Sequence, residues 1–564
     1  MPAWTGAIGV GLSGLLARRR RRLSDAAFWQ RETQVVQARQ LRGLLSRAAG
    51  TEFGRGHGFE RLARISGDAE LVAAYRAAVP VADYEAFRPL VARMREGGER
   101  DVLWPGRVEH FAQTSGTTAG DKYIPVSAEM LKSNYRAALD IFAHAGRFGV
   151  SLPGMLTGQA LFLGGSTTLE TNGHGIKTGD LSGLVTPLIR WPISEIYLPG
   201  PEIALMSHWP SKIEAMARAC VGRDVRMVNG MPSWMLVLFE RVVELARERA
   251  KDPGSIRSLR DVWPNLRLLV HGGVKYAPFE PRVRQAWSGS ADGPDVPARL
   301  ELYPASEGFI AMQDTRGDPG LRLMADIGNF YEFVPLERVH EAAPPAYTAG
   351  EVEPGVRYVV CMSTCAGLWR YVIGDVVEFD TVPDGARRRG TGPARLRIVG
   401  RHKHFINAFG ENLIVEHIEN AVAEAAKAAG LVVGEFTAGP VYPGVTPEGD
   451  ARRAGLELVF ETPEAGAMLA ARLAAFGVAF DASLKRQNVD YTTKRTDGVG
   501  MAEPTLSPVA MGAFHRWMQS RGKLGGQHKC PRCANHRDFV EGVLGLAGGA
   551  QVRSAGRGAA AARG

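Results

Sequence analysis

Gln113-Thr114-Ser115-Gly116-Thr117-Thr118-Ala119-Gly120-Asp121-Lys122 follows the apolar run Val108 to Ala112. A strand that opens into small hydroxyl residues and glycines makes a loop whose N–H and O–H groups can converge on one anion, and Lys122 adds positive charge beside it. Such a loop would hold phosphate. The same composition also describes an ordinary Ser/Thr/Gly surface turn, and the Gly-Lys-Ser/Thr ending of a Walker A loop is missing, so the neighbouring segments have to decide between the two.

Three segments downstream bear on it. Tyr303-Pro304-Ala305-Ser306-Glu307-Gly308 follows the strand-like Leu300 to Leu302; Trp369-Arg370-Tyr371-Val372-Ile373-Gly374-Asp375 precedes another apolar pair; and Val399-Gly400-Arg401-His402-Lys403 comes after both. In this order they resemble the core motifs of the adenylate-forming enzymes and, within these, the acyl acid amido synthetases of plant hormone conjugation. Lys523 to Arg532, reading Lys-Leu-Gly-Gly-Gln-His-Lys-Cys-Pro-Arg, resembles the end motif of the bacterial branch. Gly230-Met231-Pro232-Ser233-Trp234 before a helix, and Tyr491 with Arg495, extend the likeness from about residue 25 to residue 545.

The resemblance implies a fold and a site. The fold is α/β: a large N-terminal domain of helices around β-sheets and a small, mobile C-terminal α+β domain. Ser115, Gly116, Thr117 and Thr118 would cradle the phosphates of ATP, and Tyr303 would stack on adenine with Ser306 near the α-phosphate. Glu307 would hold Mg²⁺, a hard cation suited to oxygen ligands. Asp375 would accept hydrogen bonds from both ribose hydroxyls. Lys529 would reach in from the small domain to stabilise the transition state, with Arg401 beside the nucleotide near the hinge. Catalysis is thus assigned to Lys529, Arg401 and Glu307. The partners implied are a carboxylic acid and an amino acid whose α-amine receives the acyl group.

Two departures from the family pattern stand out. The loop after Thr118 is about one residue shorter than the family form, so Lys122 receives no role. His528 occupies the position where the plant members carry a tyrosine, which points to the bacterial branch and gives no ground for inferring auxin or jasmonate as the acid.

The rest of the chain fits this frame. Short apolar runs at Leu266 to Val270, Tyr358 to Met362, Leu396 to Val399 and Leu456 to Phe460 alternate with helical patterns such as Trp234 to Ala246. In Val415 to Ala428, Ile418, Val422 and Ala425 recur at helical spacing and Gly430 closes the helix. Pro383 to Pro393 is the clearest break in composition. The expected layout is a basic N-terminal extension over 1–24, a large adenylation domain over 25–399, a small domain over 400–545 and a disordered basic tail over 546–564.

Composition excludes other classes. With 564 residues, 45% hydrophobic and 23% charged, the chain is neither disordered nor collagenous, and it has no uninterrupted apolar run of about 18 residues, so stable membrane insertion is not expected. The formal charge of +9 is modest for this length and gathers partly at the ends, in Arg18 to Arg22 and in Arg553, Arg557 and Arg563, so no nucleic acid is expected. Trp4 to Ala17 reads as an amphipathic helix on the body with a solvated basic turn after it.

Five cysteines, an odd number, fit reduced thiols in the cytoplasm. His528, Cys530, Cys533 and His536 also resemble half of a zinc site, although Lys529 and Arg532 inside the cluster would repel a dication. His271 reads either as a wall of the acyl pocket or as a hydrogen-bonded loop histidine. Two alternatives to amide formation remain open: the same adenylation with a coenzyme A thiol or a hydroxyl as acceptor, and a non-catalytic nucleotide-binding or basic interaction protein.

Overall fold

The computed structural model describes residues 4–114, 122–164, 169–185, 193–206, 208–273, 276–386, 388–401, 405–411, 413–445, 451–496, 500–521 and 530–546. Its centre is a mixed sheet of eleven strands. Gln159–Leu163, Val225–Gly230, Leu268–Gly272 and Arg299–Ala305 run parallel through one half. Parallel neighbours need crossovers, and the helices Pro232–Arg249 and Glu280–Ser288 provide two of them. The alternation of apolar runs and helical patterns in the sequence is this arrangement.

At Gly308 the sheet turns antiparallel. The strand Gly308–Gln313 folds back on Arg299–Ala305, and Leu321–Leu323, Arg395–Arg401, Tyr371–Thr381, Arg357–Ser363 and Phe330–Pro335 complete that half. Gly308 has φ 144°, and a Cβ there would lie 2.7 Å from Asn329 Nδ2. Only glycine makes this turn without displacing Asn329.

A four-stranded sheet carries the first motif. His110–Thr114 pairs antiparallel with Lys122–Val126, Thr114 opposite Lys122, so residues 115–121 connect the ends of one hairpin. Beyond residue 404, Phe436–Val441, Gly455–Thr462 and Thr505–Ala510 form a three-stranded sheet with the helices Val415–Ala429 and Gly466–Gln487. Gly430, at φ 60°, closes the first of these helices as expected.

The 22-residue helix Gly466–Gln487 is long and apolar enough to cross a membrane. Its Leu469, Leu473, Phe476, Phe480 and Leu484 lie at helical spacing and are buried in a core shared with Leu456, Leu458 and Phe460. That same core runs from the parallel half of the large sheet, through Phe239 and Phe279, to Phe409 and Tyr491 beyond residue 400.

The N-terminus departs from expectation. Residues Ala17–Ser24 form a helix rather than a turn, and although Arg18, Arg21 and Arg22 are exposed as expected, Arg19 is not. Arg19 forks onto Asp140 at 2.6 and 2.8 Å and onto Asp326 at 2.5 and 2.9 Å. Two carboxylates converging on one buried spot need a cation between them, and Arg19 supplies it.

Candidate active site

The motif segments line a single cavity of about 1220 Å³. Thr114 and Lys122, the two ends of the phosphate-type loop, lie on its wall together with Tyr303, Ser306, Glu307 and Asp375. Three sequence segments far apart in the chain thereby meet in one place. The Tyr303 hydroxyl donates to Asp375 Oδ2 at 2.8 Å, which joins two residues that sequence reading gave separate tasks. Tyr303, Glu307 and Asp375 are all buried in the wall.

The strand carrying Asp375 is set by an unusual residue at its start. Arg370 has φ 46°, a left-handed conformation that side chains with a Cβ disfavour. Its peptide N–H donates to Ser363 Oγ at 3.1 Å, and its carbonyl accepts from Ala82 N–H at 3.1 Å. Its guanidinium donates to Glu332 at 2.8 Å and to the Val79 carbonyl at 2.7 Å. These contacts hold the bend from which Tyr371–Thr381 runs to Asp375.

Among the other predicted site residues, Ser115, Gly116, Thr117, Thr118 and Lys529 lie outside the described residues, as does the Arg401 side chain. The Arg401 backbone pairs opposite Asp375.

Of the zinc-like cluster, His528 lies outside the described residues. Among the described residues no three His, Cys, Asp or Glu side chains converge on one point. Cys533 is fully buried in an apolar core, while His536 packs on Phe539 and lies 3.6 Å from Asp538. All five cysteines are free and buried. Tyr491 and Arg495 serve the fold: the Tyr491 hydroxyl donates to Asp481 at 2.7 Å and Arg495 forks onto the same carboxylate at 2.8 and 3.0 Å.

His271 lies on the cavity wall, its ring 4.6 Å from that of Tyr276 and tilted 32° to it. Its Nδ1 has no hydrogen-bond partner among the described residues. Burial lowers its pKa to about 3, with Arg299 adding repulsion, so the ring is neutral. Glu301 sits opposite His271 in the sheet register, and burial raises its carboxyl to about 7.

Sequence reading missed two buried residues: Lys494, which lines the cavity beside Trp234, and Glu411, next in the chain to the lining Gly410. Lys494 is 3% exposed, with Nζ 3.8 Å from the Trp234 ring and 4.6 Å from Trp209. Its position between the matched Tyr491 and Arg495 was the available signal. Glu411 is fully buried and accepts from Phe409 N–H at 2.6 Å and Ala408 N–H at 3.2 Å. Burial raises its pKa to about 7 from 4.5.

A raised carboxyl binds more protons in the folded than in the unfolded chain, so stability falls as pH rises from about 4.5 through about 7. Glu411→Gln removes this titration. Its stability in urea unfolding is expected to lie within about 1 kcal/mol of the wild type at pH 5 and to exceed it at pH 8 by on the order of 3 kcal/mol. Equal wild-type and variant midpoints at pH 8 would show that Glu411 ionises in the folded protein without penalty.

Comparison with known proteins agrees with this geometry. Models of the GH3 family match its N-terminal domain at residues 27–192, its central domain at 322–386 and its C-terminal domain at 416–538, together more than half of the chain. An indole-3-acetic acid-amido synthetase, GH3.8 of Oryza sativa subsp. indica, is 23% identical, covering 90% of this chain and 89% of that protein. The jasmonoyl–L-amino acid synthetase JAR4 of Nicotiana attenuata is 22% identical, covering 62% of this chain and 67% of its own length. The solved structure of the acyl acid amido synthetase GH3.15 in complex with 2,4-DB superposes with a TM-score of 0.54 at 17% identity, over 97% of both chains. The chain belongs to the GH3 family.

Proposed function

We propose that this protein activates a carboxylic acid with ATP as an acyl adenylate and passes the acyl group to the amine of an amino acid. The observation that carries the reading is the convergence of Thr114, Lys122, Tyr303, Ser306, Glu307 and Asp375 on one cavity, in a chain whose relatives are named for amino acid conjugation.

In the first step a carboxylate oxygen of the acid attacks the α-phosphorus, the bond to the bridging oxygen breaks, and pyrophosphate leaves with the electron pair. Bringing two anions together is the main obstacle, so the site must supply donors and positive charge. The loop at Ser115 to Thr118 and the residues Arg401 and Lys529 are the groups in this chain suited to that task. Tyr303 and Asp375, tied by their hydrogen bond, make a rigid edge against which a nucleoside can be oriented, with the carboxylate facing the ribose hydroxyls.

Glu307 fits a magnesium site of the kind that takes one carboxylate and completes its shell with phosphate oxygens and water. When bound, the ion would neutralise phosphate charge. The lack of a three-ligand cluster among the described residues is compatible with that mode.

In the second step the amine nitrogen attacks the acyl carbon, the C–N bond forms, the C–O bond to AMP breaks, and one amine proton is released. No covalent link to the enzyme is needed. We assign the first step to the domain over 25–399 and infer that the unit over 400–545 moves about Gly400 to Lys403 between the steps. The five free, buried cysteines support a cytoplasmic setting.

The test is ATP-dependent pyrophosphate release with Mg²⁺ over a panel of aryl, indole, fatty and keto acids, with and without amino acids, and with products identified by mass. One or more acids should trigger release, and amino acids should raise it and appear in amide products. A thioester formed with coenzyme A and no amide with any amino acid would transfer the chain to the alternative acceptor class. Nucleotide binding without acid-dependent release would sink the enzyme reading itself.

A further inference from the structure

The cavity wall carries a second charged feature besides Asp375. Lys494 stands on the helix Val489–Arg495, which Asn488 caps by accepting from Tyr491 N–H at 2.8 Å and which Arg495 clamps onto Asp481. The side chain is therefore delivered from a fixed mount. Its ammonium rests between two indole faces, 3.8 Å from Trp234 and 4.6 Å from Trp209, whose rings meet at 5.1 Å and 62°. Trp234 is fixed in turn by its Nε1–H donating to the Phe409 carbonyl at 3.2 Å.

Aromatic faces stabilise the charge of an ammonium but accept none of its three N–H bonds in line. Among the described residues Lys494 makes no hydrogen bond or ion pair. It lines the cavity, as do Met231, Trp234 and Gly410. A buried cation with unused donors at a cavity wall calls for an anion from outside the chain. Burial lowers its pKa to about 8, which leaves it charged at neutral pH.

The surroundings narrow the identity of that anion. Asp180 and Asp490 lie on the same cavity wall, and with Glu411 their charges bear on Lys494, while buried Lys212 donates to the Ala204 carbonyl at 2.7 Å. A phosphate, carrying two or more negative charges, would be repelled by those carboxylates. A molecule with one carboxylate and one amine suits them: the carboxylate meets Lys494, and the amine end meets acidic oxygens able to take its proton.

We infer that Lys494 is the anchor for the α-carboxylate of the amino acid acceptor and the residue by which the site selects it over simple amines and amides. The inference rests on the amido synthetase reading above. It concerns a different element from the proposed nucleotide edge, because Lys494 stands on the helix Val489–Arg495 and Tyr303 and Asp375 stand on strands of the eleven-stranded sheet.

Lys494→Met keeps the stem between the tryptophans and removes the charge; Lys494→Arg keeps charge on a different donor geometry. With the acid that gives the strongest pyrophosphate release, amide formation is measured with glycine, alanine and leucine and with the carboxamide of each. The wild type is expected to prefer each amino acid over its carboxamide by about 10- to 100-fold in kcat/KM, the range for a hydrogen bond to a charged group. In Lys494→Met that preference should vanish through a raised KM for the amino acid, acid-dependent pyrophosphate release staying within about threefold, and Lys494→Arg should restore part of it. Retention of the preference by Lys494→Met, or a rise in KM for the acid instead, would overturn the assignment.

A binding readout keeps the two proposals apart. Saturation-transfer NMR of leucine and leucinamide needs no turnover. Leucine contact seen in the wild type and lost in Lys494→Met supports the anchor even if no amide is made, in which case the amido synthetase reading fails alone. Equal leucine contact in both proteins, or contact in neither, rejects the anchor whatever the reaction proves to be.

Discussion

Acid-dependent pyrophosphate release is expected to fall by about 10²- to 10³-fold in Glu307→Gln, the range seen when one preorganised electrostatic contact to a reacting centre is removed. The carboxylate is 7% exposed in the cavity wall. In such a site a charge interacts with its partner far more strongly than in bulk water, because little solvent competes. Glutamine preserves volume and one oxygen acceptor, so the loss reads out charge rather than shape. The turn that carries Glu307 is held by the Gly308 backbone and by the hairpin register on either side, neither of which uses the carboxylate.

A metal role predicts more than a rate loss. The variant should need a higher Mg²⁺ concentration for half-maximal release, while nucleotide binding measured without the acid weakens much less. Release within about threefold of the wild type at every Mg²⁺ concentration would remove Glu307 from the reacting phosphates. Tyr303→Phe is a useful contrast: it deletes one hydrogen bond to Asp375, whose net worth is about 1 kcal/mol.

How legible this site was in the sequence depended on whether a residue's task is set locally. The Leu300 to Gly308 segment is local in every respect, since an apolar strand, a tight turn demanding glycine and a polar tip can all be read within nine positions. The helix ending at Gly430 is local too. Arg19 is the opposite case. Its partners lie 121 and 307 residues away, so a run of arginines near a terminus reads as a solvated segment until the fold brings Asp140 and Asp326 beneath it.

Lys494 was missed for the same reason. A lysine in a polar helix carries no local sign that two tryptophans from the large sheet's helices will enclose it. Asp375 stands between these extremes: its segment was recognisable, but its hydrogen bond to Tyr303 follows from sheet order, in which three other strands separate theirs.

The buried pair between Arg370 and Glu332 sets the largest expected loss of stability. Glu332 is 1% exposed, and it accepts from Arg370 Nε at 2.8 Å and from Arg76 Nε, also at 2.8 Å. Two guanidinium groups thus share one carboxylate in a place with almost no water. Replacing it by glutamine leaves both cations facing a neutral amide, and removing one partner of a buried pair typically costs about 3–5 kcal/mol.

The effect should reach the active site, because Arg370 also keeps the strained backbone at φ 46° from which the strand runs to Asp375. Once Glu332 no longer holds the guanidinium, the bend loses a main restraint and the Asp375 carboxylate loses its fixed position. Glu332→Gln is therefore expected to lower the urea midpoint by an amount equivalent to about 3–5 kcal/mol. It should also raise the KM for ATP more than it lowers kcat, since the role proposed for Asp375 is to bind the ribose rather than to react. Urea is the right denaturant, because a guanidinium salt would screen the charges under test. An unchanged midpoint would mean that Arg76 and Arg370 find other acceptors when Glu332 is neutralised. A lowered midpoint with an unchanged KM would separate the ion pair from the positioning of Asp375.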